Sequence, residues 1–230
     1  MKGRRLGLPR EGGAYGVWLS GLAYGSLAGP PAGYLGLISV AAALVTLALV
    51  GYARGRGAGR LAAIVAPSTL YLYLVYSTAP QSLPLAAVTS IMLALSLRGG
   101  LSAIVFGGGL LGSLGGYVAL AAGANAIEAL VPAVYLLMAT GAAGLRVVGP
   151  RLEVLAALAS GAAATVVAAV ALAVTGEHVA SLALAADMAS RLIGRVSGVE
   201  ARLKVRHYGF LEAVRTLTVM AVAGASLSPG

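Results

Sequence analysis

Nine apolar runs divide this chain, and the gaps between them alternate in charge. The runs are Gly13–Ala28, Gly33–Tyr52, Leu61–Ser77, Leu83–Leu97, Leu101–Ala122, Ala126–Leu145, Val154–Val174, His178–Ile193 and Tyr208–Leu227. A helix needs about 20 apolar residues to cross the hydrocarbon of a bilayer, with a range of roughly 17 to 25. In lipid every backbone polar group must be bonded within the protein. A chain built mainly of such runs is therefore expected to fold as an all-α, polytopic helix bundle of nine transmembrane helices.

The sixteen Lys and Arg residues fall on one side of that scheme. They are Lys2, Arg4, Arg5 and Arg10 in the tail, then Arg54, Arg56 and Arg60, then Arg98, then Arg146 and Arg151. Arg191, Arg195, Arg202, Lys204 and Arg206 follow, with Arg215 in the inner half of the ninth run. The opposite gaps, Gly29–Ala32, Thr78–Gln81, Gly123–Asn125 and Thr175–Glu177, carry no basic residue. Positive charge holds short loops in the cytoplasm, so the N-terminus is expected inside and the C-terminus outside, in the cell membrane. Parity supports two weak runs, the short Leu83–Leu97 and the Asp187-bearing His178–Ile193. Dropping the fourth run strands Arg146 and Arg151 outside, and dropping the eighth strands Arg191–Arg206 there. The expected organisation is a basic tail over residues 1–12, one transmembrane domain over 13–227 and a short outer tail over 228–230. The first helix is read as an uncleaved span rather than a secretory signal.

Composition excludes several classes. Hydrophobic residues make up 59% of 230 and charged residues 10%, against about a quarter charged in a soluble domain; mean hydropathy is +0.92. The net charge of +9 sits in short loops between apolar runs rather than on a solvated face, which argues against nucleic acid. Cysteine is absent, removing disulfide and thiolate chemistry. His178 and His207 fall at opposite ends of the bundle, so no metal site and no cofactor is expected.

Gly21, Gly25 and Gly29 recur every fourth residue in the first run, as do Gly108, Gly112 and Gly116 in the fifth. This spacing forms a small-residue face through which helix backbones approach closely. The same faces offer docking for homo- or hetero-oligomers. The seventh run reads as scaffold. Tyr71, Tyr73 and Tyr76 read as interfacial anchors, and Asn125 and Glu128 as loop-proximal and solvated.

Ionisable groups inside spans are the informative ones, since one at mid-bilayer costs roughly 2.5–3.5 kcal/mol on insertion scales. Three pieces qualify: Arg10, Glu11 and Tyr15 at the mouth of the first run; Asp187 with Arg191 at i,i+4; and Glu212 with Arg215 at i,i+3. All are expected on the cytoplasmic side near the interface, either as one network or as separate local pairs.

The stretch Pro9-Arg10-Glu11-Gly12-Gly13-Ala14-Tyr15 resembles the opening signature of the YwiC-like membrane proteins: Pro, a basic residue, Glu or Gln, His, Gly, Ala, then Trp or Tyr. Gly12 stands where the family has His. Gly209-Phe210-Leu211-Glu212 is similar to the Gly-x-x-Glu near the family's end. The resemblance implies no activity, but singles out Arg10, Glu11 and Glu212. The helix count and orientation also resemble those of UbiA-type prenyltransferases. The two gaps that match their Asp-rich Mg²⁺-binding loops, Tyr52–Gly57 and Leu145–Arg151, contain no Asp.

Three functions follow as expectations. The first is a carrier or binder of a small or lipid-like molecule, with Asp187 and Glu212 titratable and Arg10, Arg191 and Arg215 as anion contacts. The second is an intramembrane enzyme with a UbiA-like helix arrangement, acting on isoprenoid or lipid substrates. The third is a non-catalytic subunit or assembly factor that docks through its glycine faces.

Overall fold

Short turns with a left-handed glycine separate the helices. After Ala121 the amide of Gly123 (φ +101°) donates to the Leu120 carbonyl and that of Ala124 to Ala119. After Val174 the amide of Gly176 (φ +96°) donates to Ala173 and that of Glu177 to Leu172. Both are Schellman stops, in which a residue without a Cβ takes the left-handed position and the last carbonyls are satisfied. Asn125 then caps the next helix, its side chain accepting from the Ile127 and Glu128 amides while Glu128 reaches back to the Asn125 amide at 2.9 Å.

The computed structural model describes residues 12–28, 82–96, 98, 100–198 and 205–227. They form seven helices and, among the described residues, no strand: α1 (Gly12–Leu27), α2 (Leu83–Ser96), α3 (Gly100–Ala121), α4 (Ala126–Val148), α5 (Leu152–Val174), α6 (His178–Val196) and α7 (Val205–Ala225). These correspond to the first and the fourth to ninth runs. The second and third runs, with Arg54, Arg56, Arg60, Tyr71, Tyr73 and Tyr76, lie outside the described residues. Among the described residues three helices are long and apolar enough to cross a membrane: Gly100–Leu120, Ala126–Val148 and Leu152–Val174. The apolar α2 is shorter, at 14 residues.

Glycines set the packing, as the four-residue spacing predicts. A Cβ on Gly112 would stand 2.6 Å from the Pro132 carbonyl oxygen of α4, and one on Gly108 or Gly116 would collide with Thr140 or with the Ala129 carbonyl. On another side of α3, Gly115 faces the Gly21 backbone of α1, and Gly25 faces Val118. Gly16 and Gly224 bring α1 and α7 together at Ala213 and Tyr24, and Gly141 and Gly161 do so for α4 and α5 at Leu158 and Met138. Gly29 is outside the described residues. These pairings fix relative directions. Residues rise together along α1, α3 and α7, and run oppositely in α3–α4, α4–α5, α2–α3 and α6–α7. Arg98, Arg146, Arg151 and Arg195 thus lie at one end of the bundle, and Glu128, Glu177 and His178 at the other.

The helix at the centre is α4, buried from Val131 through Ala139 without interruption. Around it α5 hides only a stripe (Val154, Ala157, Gly161, Thr165, Ala168, Leu172) and exposes Leu155, Val166, Val167, Val170 and Val174. The polarity of α6 and α7 is inverted relative to a soluble protein. Asp187 and Glu212 are buried while Leu182, Leu192, Ile193, Val196 and Phe210 are exposed.

Glu128 departs from its expected solvation: it is buried, because α1 covers the start of α4. The cause is local. Pro132 has no N–H to give the Glu128 carbonyl four residues earlier, and the Tyr24 hydroxyl of α1 donates to that oxygen at 2.6 Å.

Two outcomes test this packing. Tyr24→Phe should lower stability by about 1–3 kcal/mol, the cost of an unsatisfied buried acceptor. In a Pro132→Ala background, which restores the missing amide, most of that cost should vanish; equal costs in the two backgrounds would refute the assignment. Gly115→Leu, which forces a side chain into the Gly21 backbone, should cost about 3 kcal/mol or more. Gly107→Leu should be near neutral, since nothing lies within 4 Å of its added Cβ. Thermal unfolding in one detergent resolves both pairs.

Candidate functional site

Helix periodicity carries the buried stripe of α6 through Ala180, Leu184 and Asp187 to the half-buried Arg191, and that of α7 through Tyr208, Glu212, Thr216, Met220 and Ala223. Because α6 and α7 are antiparallel neighbours, these stripes bring four charged side chains together. Arg191 Nε donates to Asp187 Oδ2 at 2.6 Å and Arg191 Nη1 to Glu212 Oε1. Arg215 Nε donates to Asp187 Oδ1 at 2.5 Å, while its Nη2 reaches the Asp187 carbonyl oxygen at 3.2 Å and the Ser190 hydroxyl. Two acids and two arginines balance in formal charge.

From α4, Tyr135 completes the set. Its hydroxyl donates to Asp187 Oδ2 at 2.9 Å and accepts from Arg191 Nη2 at 3.2 Å, and the guanidinium carbon lies 5.7 Å from its ring centroid. Asp187 and Arg191 are 1% and 11% exposed at the side chain. An arginine with all three nitrogens engaged and a carboxylate accepting three bonds meet the condition for burying charge: pairing plus hydrogen bonding.

The cluster lies midway along α6 and α7. Asp187 is nine residues from either end of α6, and Arg215 ten from either end of α7. At 1.5 Å per residue each stands about 14–15 Å from both helix ends. Tyr135, nine residues into α4, is at similar depth. The cluster thus sits at the middle of these helices rather than at their ends.

Of the expected site residues, Asp187, Arg191, Glu212 and Arg215 converge. The i,i+3 spacing of Glu212 and Arg215 does not make a pair: no ion pair joins them, and each bonds across to α6 instead. Arg10 and Glu11 lie outside the described residues, and Tyr15 falls in α1 with no description of its side chain. Tyr135 and Ser190 were missed. Tyr135 had a signal, a tyrosine in the middle of an apolar run rather than at its end, since a buried tyrosine hydroxyl needs a partner. Ser190 had none beyond following Asp187 by three.

No group of three or more His, Cys, Asp or Glu arranged to hold a metal occurs among the described residues. An open groove of about 510 Å³ between α5 and α6, walled by Val166, Ala169, Val170, Ala173, Ser181 and Met188, is apolar and holds no charged side chain.

The network's cohesion is measurable. Asp187→Asn, which leaves two arginines underpaired at depth, should cost about 3–5 kcal/mol. Tyr135→Phe should cost about 1 kcal/mol, in the range of interhelical hydrogen bonds in membranes. A double-mutant cycle between Tyr135→Phe and Glu212→Gln should show coupling through Arg191; strict additivity would mean that Arg191 does not link them.

Comparisons of the chain with protein-family models, with curated proteins and with solved structures returned no match.

Proposed function

We propose that this chain is a nine-span protein of the cell membrane, N-terminus inside and C-terminus outside. In this reading it binds and carries a small charged or lipid-like molecule through the Asp187–Arg191–Glu212–Arg215 network. One observation carries the reading: four charged side chains meet at mid-depth of helices whose outward faces are apolar. Apolar packing of similar volume stabilises a fold as well as a buried ion pair, or better. Charges kept at that depth therefore point to use, and intramembrane ionisable residues characteristically mark solute and proton pathways.

Helix direction supports the span count. Since α1 is parallel to α3 and α2 antiparallel to it, α1 and α2 run oppositely. Opposite directions are what the nine-span order requires of its first and fourth spans. The basic residues at one end of the bundle support the orientation.

A second reading, a non-catalytic subunit or assembly factor, is favoured by a different observation: Asp187 and Arg191 are satisfied within the protein. Flux separates the two. Liposomes containing the purified protein, screened with a panel of small carboxylates and phosphates, should show transport that Asp187→Asn or Glu212→Gln abolishes while the protein stays folded. Transport unaltered by both substitutions would remove the network from the function. An outside-active reporter fused after Gly230 that stays silent, while a cytoplasmic one is active, would overturn the topology.

A further inference from the structure

The four charges are not held equally. Asp187 has both oxygens engaged, Oδ1 by Arg215 and Oδ2 by Arg191 and Tyr135, and its side chain is 1% exposed. Among the described residues Glu212 has a single partner, Arg191 Nη1 on Oε1; its Oε2 accepts from none of them, and the side chain is 9% exposed at the margin of the cluster. Arg191 also has Nε on Asp187 and Nη2 on Tyr135, two bonds that do not involve Nη1. Among the contacts of Arg191, the one to Glu212 can change partner while its links to α4 and within α6 persist.

The surroundings limit what can replace it. Among the described residues Arg191 of α6 faces Glu212 and in turn bonds Asp187 of α6 and Tyr135 of α4, with Tyr208 and Arg215 about one turn away on α7. From Gly12 to Leu27, α1 carries no charged residue. The cluster sums to zero with both acids ionised. A bare anion arriving on Arg191 would leave a net negative charge at mid-membrane, which costs several kcal/mol. An anion that arrives with a proton leaves the sum at zero.

We propose that Arg191 Nη1 is the binding edge for a small oxyanion, a carboxylate or a phosphate, and that Glu212 is the exchangeable carboxylate that yields to it. The Nη1–H···Oε1 bond breaks and an Nη1–H···O bond to the ligand forms. The displaced Glu212 carboxylate takes up one proton from the bulk solution (from hydronium, leaving water), so anion and proton bind together. Asp187, Arg215 and Tyr135 are positioning residues that hold Arg191 in place through the exchange. This deepens the carrier reading and rests on it, naming the ligand class and the coupling.

Infrared difference spectroscopy on the full-length protein in lipid nanodiscs tests it, with inorganic phosphate and ¹³C-labelled acetate as separate probes. Adding a probe that binds should raise a protonated-carboxyl C=O band, with uptake of about one proton per anion. The band should be absent from Glu212→Gln and retained in Glu128→Gln, where the glutamine still serves the helix cap. Affinity should tighten roughly tenfold per unit fall in pH while Glu212 is ionised, as one linked proton requires, and that slope should vanish in Glu212→Gln. A band that survives Glu212→Gln, or anion binding without proton uptake, overturns the exchange. Flux lost on Asp187→Asn with neither probe giving the band would leave the carrier reading standing and refute the exchange. A Glu212-dependent band without flux of any tested anion would do the reverse.

Discussion

In an apolar surrounding, a polar group left without a partner costs more than most packing contacts return, and the architecture around α4 follows from that constraint. Its proline deprives the Glu128 carbonyl of a donor, and α1 supplies the Tyr24 hydroxyl. The Thr140 hydroxyl donates to the Val105 carbonyl of α3 at 2.9 Å. The Tyr135 hydroxyl finds Asp187 on α6. The Glu128 carbonyl, Tyr135 and Thr140 of the central helix each reach a different neighbour, so the arrangement of helices around it is constrained by hydrogen bonds as well as by shape.

Glycine supplies the shape. With lipid tails as apolar as leucine, helices gain little by burying hydrophobic area against one another, and close backbone approach does more of the work. The two glycine-lined sides of α3 let it pack against α1 and α4 at once, and Gly16 and Gly224 bring α7 onto α1. That closure carries Glu212 and Arg215 to the face of α6 that holds Asp187 and Arg191. The ion network thus depends on residues that have no side chain to contribute.

Much of the fold was legible in the chain because its signals are local. Run lengths located the described helices to within three residues at most ends, and glycine in the gaps marked the stops after α3 and α5. The i,i+4 relation of Asp187 and Arg191 is fixed by helix period alone and survives intact. Glu212 and Arg215 show the limit of such reasoning. Their i,i+3 spacing made a local pair plausible, yet Asp187 and Arg191 offer better-placed partners across the helix boundary. Asp187 and Arg215 stand midway along α6 and α7 because both helices extend past the apolar runs toward the charged loop.

By itself the sequence determined that the described segments are helices, where they stop, which positions are small enough for contact, and that acids and arginines share helix faces. These follow from backbone hydrogen bonding, apolar length and a period of 3.6, all properties of contiguous residues. Only the tertiary structure decided which acid meets which arginine, that Tyr135 joins them, and that, among the described residues, Glu212 is held by one bond where Asp187 is held by three. Those outcomes depend on which helices lie side by side and at what rotation, set by contacts between residues tens to a hundred positions apart, and no local period encodes them.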